Sequence, residues 1–417
     1  MERKIDLQLT EESIVDMLQQ LGSYGKDPKG GITRFLYSEE WVQAQQYLKE
    51  EMEKAGLTTN FDAVGNLFGK LEGTKYTDET VLSGSHVDTV GNGGYYDGQL
   101  GIVTAFLAVK YLKTKYGQPL RNLEVVSMAE EEGSRFPYAF WGSKNIVGTA
   151  KKEEVLGKLA FDNGMPFEEA MKKAGFAFRD ETEDTRKDIK AFVEIHVEQG
   201  NVLEQEGKSV GVVNSIVGQR RYTIELTGQA NHAGTTPMGL RKDAVFTASK
   251  IITEVLTEAK RLGDPLVCTF GKVEPTPNVV NVVPGKVLLT MDTRHTDKNA
   301  LVTFTEDAEK MMNRIAEEDG VGISIDLWMD EDPVPMDEKI VHVLEKSCED
   351  KELNYKVMHS GAGHDSQVFA PFYPTAMLFV PSIDGVSHNP KEYTEPKDLL
   401  EGAKALAAAL YELAYKE

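Results

Sequence analysis

An apolar run at 80–84, a glycine-rich turn, a helical stretch and a second apolar run follow one another, and this order restricts the fold more than any other feature of the chain. Thr80, Val81 and Leu82 read as a buried strand ending at Gly84, DGQLGIVTAFLAVKYL as a helix to about Tyr116, and Leu123–Met128 as a second strand. Strand, helix, strand implies a crossover and hence a parallel pair, so an α/β fold is expected. In such a sheet, ligands gather beyond the carboxyl ends of the strands. There the first strand delivers His86 and Asp88 and, after the turn, Asp97. The second runs into Glu130, Glu131 and Glu132; a third, Ala191–Ile195, leads to His196 and Glu198.

Helical spacing at 11–22 and 39–56 precedes this unit, with a strand pair at 58–72 turning at Val64–Gly65. Between the two helices, GKDPKGGITRFLYS (25–38) is a polar loop, expected to serve as a lid or substrate loop. The pattern changes in the middle of the chain. Strands at about 209–227, 265–273, 280–293 and 321–328, with helices at 242–262 and 298–317, give β-α-β-β-α-β, the ferredoxin-like order. Helices at 337–351 and 397–414 and a strand at 374–380 then resume the first pattern. The expectation is a domain of residues 1–211 and 331–417 interrupted by an inserted α+β domain, 212–330.

A formal net charge of −21 argues against nucleic-acid binding, which needs a basic footprint. It also means that an anionic substrate would need a local positive patch. No apolar run approaches the roughly 18 residues of a membrane span, and MERKIDLQL lacks a signal-peptide core. With only Cys268 and Cys348, no disulfide framework is expected, which points to the cytoplasm.

Among eight histidines, His86, His196, His232, His364 and His388 fall in Gly- or Asn-rich, acid-flanked stretches. Three imidazoles (His86, His196, His388) with Asp88, Asp97, Glu131 and Glu132 suit two divalent ions that share one carboxylate and activate a water for hydrolysis. One of two adjacent glutamates would bind metal while its neighbour moves the proton. For a lone EEE a solvated charge run is the better reading; after a buried strand and beside HVD…D, the site is.

The motifs GSHVDTV…GGYYDGQLG, AEEEGSRF, EIHVEQG, NHAGTTPM, PNVVNVVPG, SGAGHD and GVSHNPKE, in this order, resemble the M20-type metal-dependent amidohydrolases. That family includes N-carbamoyl-L-amino acid hydrolases, β-alanine synthase and allantoate-hydrolysing members. GGITRFLYSEEW, FPYAFWGSKNIVG, VGQRRYTIEL, GKVEPTPN and IDLWMDEDPVPM resemble the allantoate-hydrolysing branch. Related peptidases usually carry an acid where this chain has His196. The resemblance implies an exopeptidase-like catalytic domain with a mixed, mainly parallel sheet and an inserted domain for substrate binding and dimerisation.

It further implies His86, Asp97 and His196 around one metal ion, with Asp97 bridging to a second held by Glu132 and His388. Asp88 would orient His86 and Glu131 would be the general base; a register one residue earlier, Glu130/Glu131, is the alternative. Manganese is the implied metal, with zinc as the other candidate. Gln219, Asn281 and Arg294 would hold the carboxylate and ureido groups of a small anionic substrate, and His232 would donate to its carbonyl oxygen. His364 and Asp365 are expected near His388; His295, His342 and His359 are read as structural. The implied reaction is allantoate hydrolysis to ureidoglycine, ammonia and carbon dioxide, and the alternative is release of an L-amino acid from its N-carbamoyl derivative.

Overall fold

The computed structural model describes residues 9–180 and 185–417, so the first eight residues of the expected N-terminal segment lie outside the described residues. The chain divides into two compact units, one of residues 1–214 and 336–417, the other Ser215–Pro335. The inserted unit thus begins and ends a few residues later than 212–330.

In the first unit the sheet runs Thr58–Phe61, Leu67–Leu71, Arg121–Met128, Tyr76–His86, Ile189–Val197, Thr375–Val380, Val210–Ile216, with Tyr355–Ser360 also on the last strand. The four central strands, from Arg121–Met128 to Thr375–Val380, are parallel and the flanking pairs are antiparallel. The central strands are apolar on both faces because both are covered. Helix Gln99–Tyr116, which is buried along most of its length, packs on one face with Pro396–Tyr415. Leu82, Val126, Phe192 and Phe369 form a cluster on the other, where the Phe192 and Phe369 rings stack at 4.2 Å. Replacing such a ring by alanine costs about 3–5 kcal/mol.

The first central strand runs past Gly84 to His86. Gly84 does not end it but lets it pair closely: a Cβ there would lie 1.8 Å from the Val126 carbonyl oxygen. The 25–38 loop is not a free lid. Ile32, Arg34 and Leu36 are buried, and Ile32 exchanges backbone bonds with Gly93 in both directions (3.0 and 2.8 Å).

In the inserted unit, Gly218–Thr227, Lys286–His295, Gly322–Glu331 and Val267–Thr276 form an antiparallel sheet. Along Gly218–Thr227, the buried Tyr222, Ile224 and Leu226 alternate with half-exposed residues, the period-2 signature of a one-sided sheet. That face packs on helices Ala244–Leu262 and Lys298–Glu318. The expected 280–293 strand is interrupted. Val282–Val283 pairs with Asn231–His232, and Pro284–Gly285 separates it from the long strand. Likewise 209–227 is two strands, broken at Val217. No helix among the described residues is long and apolar enough to cross a membrane.

Candidate metal centre

His86 ends its strand with a buried ring whose Nδ1 faces Asp88, 3.1 Å from the backbone oxygen and 3.2 Å from Oδ1. That contact places the ring proton on Nδ1 and leaves the Nε2 lone pair 3.4 Å from Asp97 Oδ1. His196 does the same from the neighbouring strand: Nδ1 donates to the Val197 carbonyl (2.9 Å), and Nε2 lies 3.2 Å from the same Asp97 oxygen. The Gly98 N–H also donates to His196 Nε2 at 3.2 Å. Gly98 has φ +68 and sits so close that a Cβ would come 2.4 Å from the His86 ring. Only glycine brings the backbone in there.

The second Asp97 oxygen faces a different set. His388 Nε2 is 3.2 Å from Oδ2 and 3.4 Å from Glu132 Oε1, and Gln199 Nε2 donates to Oδ2 at 3.0 Å. Donor atoms of His86, Asp97 and His196 therefore converge within 4.8 Å, as do those of Asp97, Glu132 and His388, and those of His86, Glu131 and Glu132. Lone pairs of neutral imidazoles against carboxylate oxygens repel unless a proton or a cation lies between them. Nitrogen and oxygen donors in this mixture suit manganese or zinc.

Charge accumulates to match. Burial opposes ionisation of Asp97, but bonds to His196, His388 and His86 outweigh it and hold the carboxyl well below its usual range. Burial also pushes Glu131 well up, reinforced by the Glu132 charge; Glu132 rises through burial and the Asp97 charge. Bonds to Asp97 and Glu132 raise His388 to about 10.

Between the two registers, the geometry brings in Glu131 and Glu132. Glu130 turns away, accepting the backbone N–H groups of Trp141 (3.1 Å) and Gly133. Asp88 ties the cluster together: Oδ1 accepts Glu131 N–H at 3.0 Å and Oδ2 accepts Glu132 N–H at 3.3 Å. His364 packs on His196, ring centroids 4.6 Å apart. Asp365 is buried, and desolvation with the Glu194 charge moves it to about 8.

Glu392 closes the GVSHNPKE motif. Its Oε1 accepts the N–H groups of Tyr96 (2.9 Å) and Asp97 (3.0 Å), and its Oε2 accepts Ser387 Oγ (3.0 Å). It thus links the Asp97 turn to the loop carrying His388. Gln199, expected on this rim after His196, donates to both Asp97 and Ser387, and Ser387 carries no signal of its own in the sequence.

The other named residues belong to the inserted unit. His232 is exposed, and its Nδ1 accepts the N–H groups of Gly234 (3.0 Å) and Thr235 (3.2 Å), which puts the proton on the free Nε2. Asn281 is exposed beside it, its carbonyl accepting Ala233 N–H. Gln219 and Arg294 are cross-strand partners, and Arg294 reaches Asp292 (Nε–Oδ1 3.0 Å, Nη2–Oδ2 3.1 Å).

The model of peptidase family M20/M25/M40 matches residues 82–412, a span that takes in every candidate metal ligand. The chain belongs to this family. Members of the M20 family are metal-dependent hydrolases, in keeping with the donor set. Within it, the chain is 57% identical over 406 residues to an allantoate amidohydrolase of Escherichia coli, covering 97% of this chain and 98% of that protein. It is 45% identical over 405 residues to an allantoate amidohydrolase of Bacillus subtilis, covering 97% and 98%. The crystal structure of an amidase of the hydantoinase/carbamoylase family from Burkholderia multivorans matches with a TM-score of 0.92, at 30% identity over 98% of this chain and 99% of that one.

Proposed function

We propose that the protein hydrolyses allantoate to ureidoglycine, ammonia and carbon dioxide, a step in recovering purine nitrogen. The observation that carries this reading is full-length identity of 57% and 45% to allantoate amidohydrolases, joined to the imidazole–carboxylate cluster. In this reading His86, Asp97 and His196 hold one divalent ion, Asp97, Glu132 and His388 hold a second, and both are manganese. Bound there, such ions lower the pKa of a water and polarise the carbonyl that it attacks.

The protein's own groups supply the rest. Glu131 takes the proton from the water and returns it to the leaving nitrogen, a task suited to a carboxyl whose affinity for protons is already raised. The His232 Nε2–H donates to the carbonyl oxygen as negative charge builds on it. Arg294, freed from Asp292, pairs with the substrate carboxylate through its planar fork, while Gln219 and Asn281 take the ureido groups. The enzyme works as a homodimer assembled through the inserted unit, in a reducing, cytoplasmic compartment that suits its two free cysteines.

Similarity to a hydantoinase/carbamoylase-family structure supports a second reading, hydrolysis of N-carbamoyl-L-amino acids. Turnover of allantoate and of N-carbamoyl-L-methionine, compared with added manganese, separates the two. Faster kcat/KM for allantoate is expected, and a preference for the carbamoyl amino acid would replace the first reading with the second.

A further inference from the structure

Arg34, in the GGITRFLYSEEW stretch, is a buried cation that the chemistry above leaves unused. Its side chain has no exposed surface and no carboxylate within ion-pair distance among the described residues; burial lowers its pKa to about 10, outweighing the Asp88 charge that acts on it. It is held by four hydrogen bonds instead. Nε donates to the Val87 carbonyl (2.7 Å), Nη1 to those of Leu21 (2.8 Å) and Tyr24 (3.0 Å), and Nη2 to Gln99 Oε1 (2.7 Å). The backbone adds two more: Arg34 N–H donates to Thr89 Oγ1 (2.8 Å), and Thr89 N–H to the Arg34 carbonyl (3.1 Å).

The places where those bonds land give them meaning. Val87 sits between His86 and Asp88, and Gln99 follows Asp97 by two residues. One rigid, planar group therefore grips both ends of the turn from His86 to Gln99. That turn carries His86 and Asp97 of the metal cluster, with Asp88 between them, and apart from the Ile32–Gly93 bridge it has no strand pairing between residues 87 and 98. Burying a guanidinium without an acid partner is costly, and apolar residues of similar volume commonly stabilise an interior as well or better. Stability is a poor account of this residue; geometry is a good one.

We propose that Arg34 is a positioning residue of the metal centre: through Val87 and Gln99 it sets the separation of His86 and Asp88 from Asp97, and with it the affinity for divalent ions. This rests on reading the cluster as a metal site. Residues that orient metal ligands typically contribute about 10–100-fold in affinity.

The test is a manganese titration of chelator-stripped wild type and Arg34→Met by calorimetry, alongside the melting midpoint of each metal-free protein. The expected result is at least about tenfold weaker binding with a metal-free midpoint close to wild type, and at saturating manganese a loss in kcat rather than KM. Arg34→Lys should not rescue it, since an ammonium lacks the fork that spans Val87 and Gln99. If the wild type binds no divalent ion, the metal reading itself fails. If the wild type binds and folded Arg34→Met binds equally well, the positioning role is overturned. Should Arg34→Met not fold, Gln99→Glu keeps the acceptor for Arg34 while losing the bond from Gln99 Nε2 to the Tyr95 carbonyl, and Gln99→Leu loses both. Weakening by Gln99→Leu alone supports the proposal, and unchanged affinity in Gln99→Leu overturns it.

Discussion

In the unit built on the parallel sheet, the candidate ligands other than the half-exposed His388 are gripped by another group: His86 by Asp88, His196 by the Val197 carbonyl, the Asp97 backbone by Glu392, and the Glu131 and Glu132 backbones by Asp88. In the inserted unit, His232 and Asn281 are exposed, on and beside a two-residue ribbon, and Arg294 is occupied by Asp292. One set is fixed by its neighbours; the other, Arg294 apart, is exposed. A metal centre needs fixed donor separations, whereas groups that receive a flexible substrate must engage and release it. Substitutions in the first set should therefore act on metal binding as a whole, and those in the second on rate or KM at unchanged stability.

Asp97→Ala breaks the comparison most severely, because its two oxygens face different imidazole sets. Paired metal binding should disappear, and turnover should fall by at least about a thousandfold, roughly 4 kcal/mol of barrier. Metal analysis of the dialysed variant checks this. One ion retained at full affinity would show that Asp97 does not serve both.

His232→Gln probes the other side. Turnover should drop about a hundredfold, the scale of losing one oxyanion donor, with manganese affinity and melting midpoint unchanged. An exposed ring bonded, among the described residues, to its own turn has little stability to lose. A shifted midpoint would mean that this set is structural after all.

Proton competition sharpens the first set. In the metal-free protein bonds to Asp97 and Glu132 raise His388 to about 10, so its ring holds a proton at neutral pH; although burial opposes it, neighbouring carboxylates also raise the affinity of His86 and His196 for protons. A cation must displace them, so affinity should rise with pH, by about tenfold per unit for each proton released. Titrations from pH 6 to 8 in buffers of different ionisation enthalpy count those protons. A flat profile would mean that the cation does not take the imidazole nitrogens.

The same division governs what could be read from the chain itself. Strands buried on both faces announce themselves as apolar runs, which is why Arg121–Met128 and Ile189–Val197 were located to within two residues at each end and their acids and imidazoles placed on one rim. The supporting groups carry no local signal. Glu392 meets Asp97 across 295 residues of sequence, a juxtaposition that only the folded sheet creates. Helix Trp141–Val147 went unread because it starts from Phe140 at φ +64 with no side-chain cap. Tyr355–Ser360 mixes Lys356 and His359 into a short edge strand with no clear alternation. The interruption at Pro284–Gly285 was legible, since proline has no N–H to give a ladder; the apolar run around it obscured it.

Asp292→Asn is the mildest change and the most pointed about the inserted unit. Asp292 sits between Arg221 (2.8 Å) and Arg294 (3.0 Å) on the half-exposed face of its strand, and these guanidiniums keep its carboxyl below the usual range even though burial opposes them. If Arg294 must leave Asp292 to meet a substrate carboxylate, the aspartate is a competitor, and neutralising it weakens the competitor while leaving the arginines charged. KM for allantoate should fall a few-fold with kcat nearly constant. The stability lost with a partly exposed ion pair should be no more than about 1 kcal/mol. A raised KM would invert the argument, because Asp292 would then be what aims Arg294 at the substrate, and the inserted unit would be as firmly prearranged as the metal centre.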